Sequence, residues 1–450
     1  MTERTERSRE LTETARTYSP HEAVLEASRC LMCDDPPCNS GCPAGVDVRR
    51  FVRKIRFSNF RGAARIIRDA NLMVGICGRV CPQEILCMEK CTRGELDTPI
   101  DIAGLQRFAG DVELGTLAPL PDLPSRRREK VAVIGAGPAG LGAASELLKR
   151  GFGVEIFERT DAIGGVLAHG VPPFRLDRGF LASELDYVKR MGAKLHCGSD
   201  EADPASLLER GFSAVVVGVG LSRPYRIGLP GEDLAGVHIA ADFLEASAKG
   251  ESPPIGARVV VIGGGNVAVD AAMTCLRLGA DKVDLCSLES YDELPAFRSE
   301  TETAQREGVE FHTRTRPVRI SGQSGRVCGY EGIGIRWKEP GLLVPSNAED
   351  VPGTEFSIPA TAVIEAIGQG VRDGYPGVDA DDRGLVRVHP ETMATSMPGV
   401  FAAGDVVSGG ATAVRAFAEG KRAAEGMAAY IDSGRQQTDP AGGTKGGGRR

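Results

Sequence analysis

The chain of 450 residues contains no run of about 18 uncharged apolar residues, the length a membrane helix needs. It also lacks an apolar stretch behind its start. Met1 to Pro20 alternate Arg, Glu, Thr and Ser, which excludes a secretory signal, and the acidic residues among them argue against a mitochondrial transit peptide. A concentrated basic character is missing as well. Net charge is −7; residues 1–130 hold 21 Lys/Arg and 19 Asp/Glu (+2), leaving 33 basic and 42 acidic residues (−9) for the rest. Nucleic acid is therefore not the expected partner, nor is a membrane, and a cytoplasmic location is the expectation. A hydrophobic share of 42% and a charged share of 26% exclude a largely disordered chain, a collagen and a coiled coil. At roughly 150 residues per domain the length predicts about three domains.

Glycine, by contrast, is plentiful at 58 residues, and two stretches explain part of it. VAVIGAGPAG places Gly135, Gly137 and Gly140 between a β-branched run and a helical pattern, with Pro138 and Ala139 inside the loop. In such a loop the first glycine allows the tight turn, the second admits a pyrophosphate and the third lets helix pack on strand. The next strand, GVEIFER, ends at Glu158 and Arg159; Glu158 lies 23 residues after Gly135, where a carboxylate accepts from ribose hydroxyls. A second stretch, VVVIGGGNVAVD, repeats the pattern with Gly263, Gly265, Asn266, Val267 and Ala268. Its following strand, KVDLCSLES, leads to Glu289, 26 residues after Gly263. Two such loops predict two dinucleotides, read as a resident flavin and a transient nicotinamide. Glu289 would accept from a free 2′-hydroxyl and repel a 2′-phosphate, so NADH is expected over NADPH; Arg298 is the nearest cation that could reverse this. The first fold has no cysteine between Val131 and Leu195, hence no dithiol beside its cofactor, and electrons must leave the flavin another way.

Eight of the 12 cysteines fall between Cys30 and Cys91. They run Cys30-x2-Cys33-x4-Cys38-x3-Cys42-Pro, then Cys77-x3-Cys81-Pro and Cys87-x3-Cys91. Without a secretory signal, disulfides are not expected. Short loop spacings ending in Cys-Pro are those of ferredoxin-type [4Fe–4S] ligation, in which the fourth cysteine of a run serves the other cluster. Zinc is the alternative, but it favours paired C-x2-C knuckles, and only Cys30/Cys33 has that spacing. The late cysteines Cys197, Cys275, Cys286 and Cys328 share no pattern and read as small buried hydrophobes.

Along the chain, residues 1–20 read as a solvated lead-in, and Pro20 opens a helix. Arg49 to Asp69 reads as a single helix whose eight Lys/Arg up to Arg68 either offset anionic clusters, dock a partner or simply face solvent. Asp111 to Glu129 reads as a linker, and residues 433–450 as a disordered tail.

GAGPAG, IGGVLAHGVPPFRL, GGGNVAVDAA and AAGDVVSGGATAV, in this order behind the eight cysteines, resemble the NAD(P)H-oxidising module shared by glutamate synthase small subunits and dihydropyrimidine dehydrogenase. EASRCLMCDDPPCNSGCPAGVD and TPIDIAGLQRFAGD are most similar to the small, NADH-oxidising subunit of the bacterial dihydropyrimidine enzyme. The resemblance implies an α/β fold with a helical N-terminal 2×[4Fe–4S] domain (1–125), an FAD lobe in two parts (126–240 and 360–432) and an inserted NAD lobe (241–359). It implies one cluster on Cys30, Cys33, Cys38 and Cys91, and another on Cys42, Cys81 and Cys87. For the fourth ligand of the second cluster the resemblance implies Gln106, by the GLQ motif, with Cys77 as the rival that the sequence leaves open. It places Gly165, Leu167, Arg175, Gly404 and Asp405 among the FAD-binding positions, beside those of the first glycine loop. The implied function is electron input from NADH through FAD and the clusters to an FMN-bearing partner, in a hetero-oligomer, that reduces uracil or thymine. An FMN barrel is expected in the partner and not in this chain, and no side chain is assigned a catalytic acid or base role. A glutamate synthase small subunit or another NAD(P)H:acceptor reductase is the alternative within the class. A nucleotide-binding regulatory flavoprotein is the alternative outside it.

Overall fold

The structure, a computed structural model, describes residues 11–115, 118–201, 203–371 and 374–434; the tail expected from 433 lies outside them beyond 434. The chain forms two compact units. One comprises Tyr18–Gly164, Ala182–Leu221 and Val371–Arg450, the other Met1–Thr17, Gly165–Leu181 and Ser222–Gly370.

The larger unit begins with helices. Ser19 caps Pro20–Ser28 reciprocally: its hydroxyl accepts from the Glu22 N–H while the Glu22 carboxylate accepts from the Ser19 N–H at 2.7 Å. The single helix expected over 49–69 is two, Val48–Arg56 and Phe60–Ala70. Ser58 adopts φ +55°, which an α-helix cannot hold, and the Asn59 side chain restarts the second helix by accepting from the Gly62 N–H. Hydrophobic periodicity carries across such a break because both pieces bury one stripe: Phe51 and Ile55 from the first, Ala63 and Ile67 from the second. Two further helices, Val74–Val80 and Ile102–Leu114, complete this domain, the latter running into the segment expected to be linker.

The same unit contains a five-stranded parallel sheet in the order Val400–Ala402, Ala214–Val217, Lys130–Ile134, Gly153–Glu158, Lys194–Cys197. Its central strands are buried on both faces, as the uninterrupted VAVI and AVVV runs require. The helical domain and the sheet are joined by polar contacts. Lys421 donates to the carbonyls of Ala44 (3.1 Å) and Ala70 (2.8 Å), Lys149 to that of Asp69 (2.7 Å), and the Tyr187 hydroxyl to that of Pro119 (3.0 Å).

The smaller unit holds a second parallel sheet in the order Val237–Ile239, Ala362–Glu365, Arg258–Ile262, Lys282–Cys286, Val309–His312. An antiparallel sheet built on Arg326–Trp337 accompanies it. The second fold thus extends past both boundaries drawn at 240/241 and 359/360, because Val237–Ile239 and Ala362–Glu365 pair into it; neither short strand carries a glycine signature. The lead-in is partly docked rather than solvated: the Thr14 N–H donates to the Phe174 carbonyl at 3.1 Å and Leu11 packs on the core of this unit. Among the described residues no helix is long and apolar enough to cross a membrane.

Candidate cofactor and cluster sites

All eight N-terminal cysteines are free thiols. Cys30, Cys33, Cys38 and Cys91 line one cavity, together with Arg49, Thr92 and Ile100. Each of the four is partly exposed. Burial and the neighbouring sulfurs, Cys91 foremost, push the Cys38 thiol up to about 12. Arg49 closes one side of this cavity by donating to the carbonyls of Cys33 (2.8 Å) and Asp34 (2.9 Å).

The second group is deeper. Cys77 and Cys87 are buried, and Cys77, Cys81 and Cys87 are each pushed up by burial and then by the sulfurs of this group, Cys42 among them. Thiols crowded together in this way are a donor set that becomes favourable when bound cations offset the thiolate charge. Cys77 belongs to this group, and Gln106 lies on the helix packed closely against the one that carries Cys77. The Cys77 sulfur is engaged by the Asn71 side-chain amide at 3.2 Å. Gln106 donates its amide N–H to the Val74 carbonyl at 3.0 Å, which fixes the amide orientation, and among the described residues no donor reaches its Oε1. Gln106 reaches this place through a close helix crossing, since a Cβ on Gly78 would collide with the backbone N of Arg107.

The first glycine loop has the geometry of a pyrophosphate turn. Gly135 adopts φ +96°, and a Cβ on Gly140 would strike the Gly135 carbonyl oxygen. Gly137 caps the helix Pro138–Lys149 with no side chain in the way. Glu158 spans strand end and loop: it accepts from the Ala136 N–H at 2.8 Å and from the Thr160 N–H at 2.9 Å and hydroxyl at 2.8 Å. Arg159 beside it is exposed. In the same unit Gly404 adopts φ +80° at the end of Val400–Ala402, and Asp405 opens a short helix, raised by its burial.

Gly165, Leu167 and Arg175 belong to the smaller unit. There the Arg175 guanidinium is committed to Asp270 at 2.8 Å and to Glu300, while Leu167 is buried. Asp270 is raised by burial against the pull of Arg175.

At the second loop Gly263 adopts φ +140° where a Cβ would strike the Ala366 carbonyl oxygen, and nothing approaches the Cβ position of Gly265 within 4 Å. Asn266 fixes the loop by accepting from the Phe297 N–H at 2.7 Å; Val267 is exposed and Ala268 buried. The Glu289 carboxylate lies over this loop, with Oε2 2.8 Å from where a Gly264 Cβ would be. Arg298, the cation that could favour a 2′-phosphate, is held by Glu302 at 2.9 Å and faces Asp292 at 3.5 Å.

Sequence reasoning missed a buried ionic group inside the larger unit. Arg68 pairs with Glu113, its Nε at 2.9 Å, and lies 3.5 Å from Glu184. Glu184 in turn accepts from the N–H groups of Gly75 (2.8 Å) and Ile76 (2.7 Å). The only signal was three charged residues at apolar phases of their helices.

Two dinucleotide folds joined to a thiol-rich helical domain define a nucleotide-dependent iron–sulfur oxidoreductase. Residues 7–116 match the family described as dihydropyrimidine dehydrogenase domain II, 4Fe-4S cluster, and residues 129–420 match pyridine nucleotide-disulphide oxidoreductase. The chain is 37% identical to the NAD-dependent dihydropyrimidine dehydrogenase subunit PreT of Escherichia coli K12, over 91% of this chain and 94% of that one. It is 33% identical to the E. coli glutamate synthase [NADPH] small chain, over 94% of each. To the NADP(+)-dependent formate dehydrogenase subunit beta of Moorella thermoacetica it is 36% identical, covering 88% of this chain and 60% of that one. Among solved structures, FprA from Mycobacterium tuberculosis shares the fold at a TM-score of 0.57 and 20% identity, over 70% of this chain and 88% of that one. The chain belongs to the pyridine nucleotide-disulphide oxidoreductase family, in the group that carries the dihydropyrimidine dehydrogenase-type 4Fe-4S domain and includes the PreT subunits and glutamate synthase small chains. It is an oxidoreductase with flavin, nicotinamide and 4Fe-4S domains.

Proposed function

We propose that this chain is the electron-input subunit of a cytoplasmic dihydropyrimidine dehydrogenase, taking electrons from NADH and delivering them to an FMN-bearing partner that reduces uracil or thymine. The observation that carries the reading is the sorting of eight free thiols into two groups inside the compact unit that also holds the first dinucleotide fold. When bound, FAD exchanges electron pairs with nicotinamide and single electrons with [4Fe–4S] clusters, the conversion such a subunit supplies.

The first glycine loop, with Gly135, Gly137, Pro138, Ala139 and Gly140, would receive the FAD pyrophosphate, and Glu158 its ribose hydroxyls. Asp405 and Gly404 would meet the flavin end of that cofactor. Gly263, Gly265, Asn266, Val267 and Ala268 would hold the nicotinamide dinucleotide, with Glu289 selecting the free 2′-hydroxyl. Cys30, Cys33, Cys38 and Cys91 would hold one cluster. Cys42, Cys81 and Cys87 would hold the other with Gln106 as fourth ligand, its amide N–H already given to the Val74 carbonyl. The 37% identity to PreT subunits along nearly their whole length supports the pyrimidine reading over the glutamate synthase one, whose named small chains use NADPH, the nucleotide Glu289 disfavours.

The test is anaerobic purification of the native chain with whatever accompanies it. An FMN-containing subunit, together with NADH-dependent loss of uracil or thymine absorbance, is the expected result. Co-purification with a large glutamine-using subunit would overturn the pyrimidine assignment.

A further inference from the structure

The helix pair Val48–Arg56 and Phe60–Ala70 carries a charge pattern that the cofactor sites do not use. From Val48 to Arg68 there is no acidic residue. Arg50, Arg53, Arg56, Arg61 and Arg65 are exposed, and none has an ion-pair partner among the described residues. Arg50, Arg53 and Arg56 recur at three-residue spacing and Arg61 and Arg65 at four, so each side chain neighbours a like charge, an arrangement that destabilises a helix on its own. Between the helices Phe57 is 69% exposed, with the Arg56 guanidinium 6.0 Å from its ring centroid. Exposed arginines around an aromatic side chain are the composition of a protein–protein interface rather than of an inert solvated face.

The face adjoins the partly exposed thiol group. Arg49, on the first of these helices, lines the cavity of Cys30, Cys33, Cys38 and Cys91. The remainder of the chain is acidic, −9 beyond residue 130, so the basic face is a local feature and not a consequence of overall charge.

We propose that the face formed by Arg50, Arg53, Arg56, Phe57, Arg61 and Arg65 is the docking surface for an acidic redox-protein partner, which receives electrons from the adjoining thiol-bound centre. The inference rests on the reading that this chain delivers electrons outward. Complementary charge steers such a partner to the face and orients it, with an association rate that falls as salt rises. Phe57 supplies the apolar contact that remains once the charges have aligned the two surfaces.

The experiment uses the cofactor-loaded full chain under argon, with cytochrome b5 as an acidic probe and cytochrome c as a basic one. The variants are the triple charge reversal R53E/R56E/R61E and the charge-keeping control R53K/R56K/R61K. Three quantities are read: bleaching of the flavin by NADH, NADH-driven reduction of each cytochrome, and binding of cytochrome b5 by calorimetry. Flavin bleaching should be the same in all three proteins. Reduction and binding of cytochrome b5 should fall on the order of tenfold between low and high salt in the wild type, and by a similar factor in the reversal but not in the lysine control. Cytochrome c should gain from the reversal. Salt-independent cytochrome b5 binding that survives the reversal would overturn the proposal. So would tighter binding to a short DNA duplex or to phosphatidylserine vesicles than to cytochrome b5, because the face would then serve a nucleic acid or a membrane. Salt-dependent binding without any reduction, beside normal flavin bleaching, would instead overturn the electron-delivery reading and leave the acidic-partner surface standing.

Discussion

The carboxylate of Glu184 accepts a hydrogen bond from the backbone N–H of Ile76 at 2.7 Å, one residue before Cys77. Its other oxygen accepts from Gly75, and Arg68, itself paired with Glu113, stands 3.5 Å away. Glu184 sits on a helix leading into the first sheet, so a single carboxylate connects the start of the helix Val74–Val80, which carries Cys77, to the dinucleotide fold of the same unit. Burial pushes this carboxyl upward, against Arg68 and the two N–H groups that pull it down. The arrangement fixes position at an electrostatic cost, which suits a part that must hold two cofactor sites at constant separation.

Glu184→Ala should therefore do more than remove a side chain. It leaves two buried N–H groups without an acceptor and removes one of the two carboxylates around Arg68, and the expected destabilisation is about 3 kcal/mol by urea unfolding. Iron content should fall in parallel. Glu184→Gln, which retains an acceptor, should lose less of both. Full iron loading and unchanged unfolding in the alanine variant would refute the role.

Nicotinamide choice should respond to Glu289. Glu289→Ala is expected to narrow the preference for NADH over NADPH by about fivefold, the scale of one unit charge about 4 Å away and screened as in bulk water. The comparison is the rate of anaerobic flavin reduction with each nucleotide. A preference that does not change would place discrimination elsewhere.

Gln106 and Cys77 can be separated by iron analysis. Gln106→Ala should deplete one of two clusters, lowering iron from about eight to about four atoms per chain. Cys77→Ala should leave the count near eight. The reverse outcome would assign the ligand to the cysteine.

A pH dependence follows from Glu365, at the end of the strand Ala362–Glu365. Its side chain is fully buried, 3.6 Å from Arg226, and burial followed by the adjacent Glu232 pushes its carboxyl from 4.5 up to about 8. Burial also works against ionisation of Glu232, but the adjacent Glu365 carboxyl and the N–H groups of Gly228 and Leu229, from which it accepts, hold it below the usual carboxylate range. Because the folded state favours protonated Glu365, its contribution is fully present below pH 4.5 and is lost as pH rises through about 8. Thermal unfolding should show Glu365→Gln equal to the wild type at pH 5 and more stable at pH 8.5. A constant difference across that range would contradict this.

Sequence alone determined the parts whose chemistry is local. A glycine loop needs its glycines at fixed offsets, as Gly135 with its positive φ and Gly140 against the Gly135 carbonyl show, and a thiol group needs cysteines at short spacings. Both patterns are written in consecutive residues, so both dinucleotide folds and the cysteine block were legible without coordinates. The break at Ser58 was not, since an amphipathic stripe continues across a kink whenever both pieces face the same core. Nor was the pairing of Val237–Ile239 and Ala362–Glu365 into the second sheet assignable, because it is decided by partners far along the chain. Only the tertiary structure decided that Arg175 spends its charge on Asp270 and Glu300, that Gln106 bonds the Val74 carbonyl across the close crossing at Gly78, and that Glu184 secures Ile76. A charge has no sequence signature for its partner: which acid meets which base is set by how helices and sheets pack, after the local patterns have formed them.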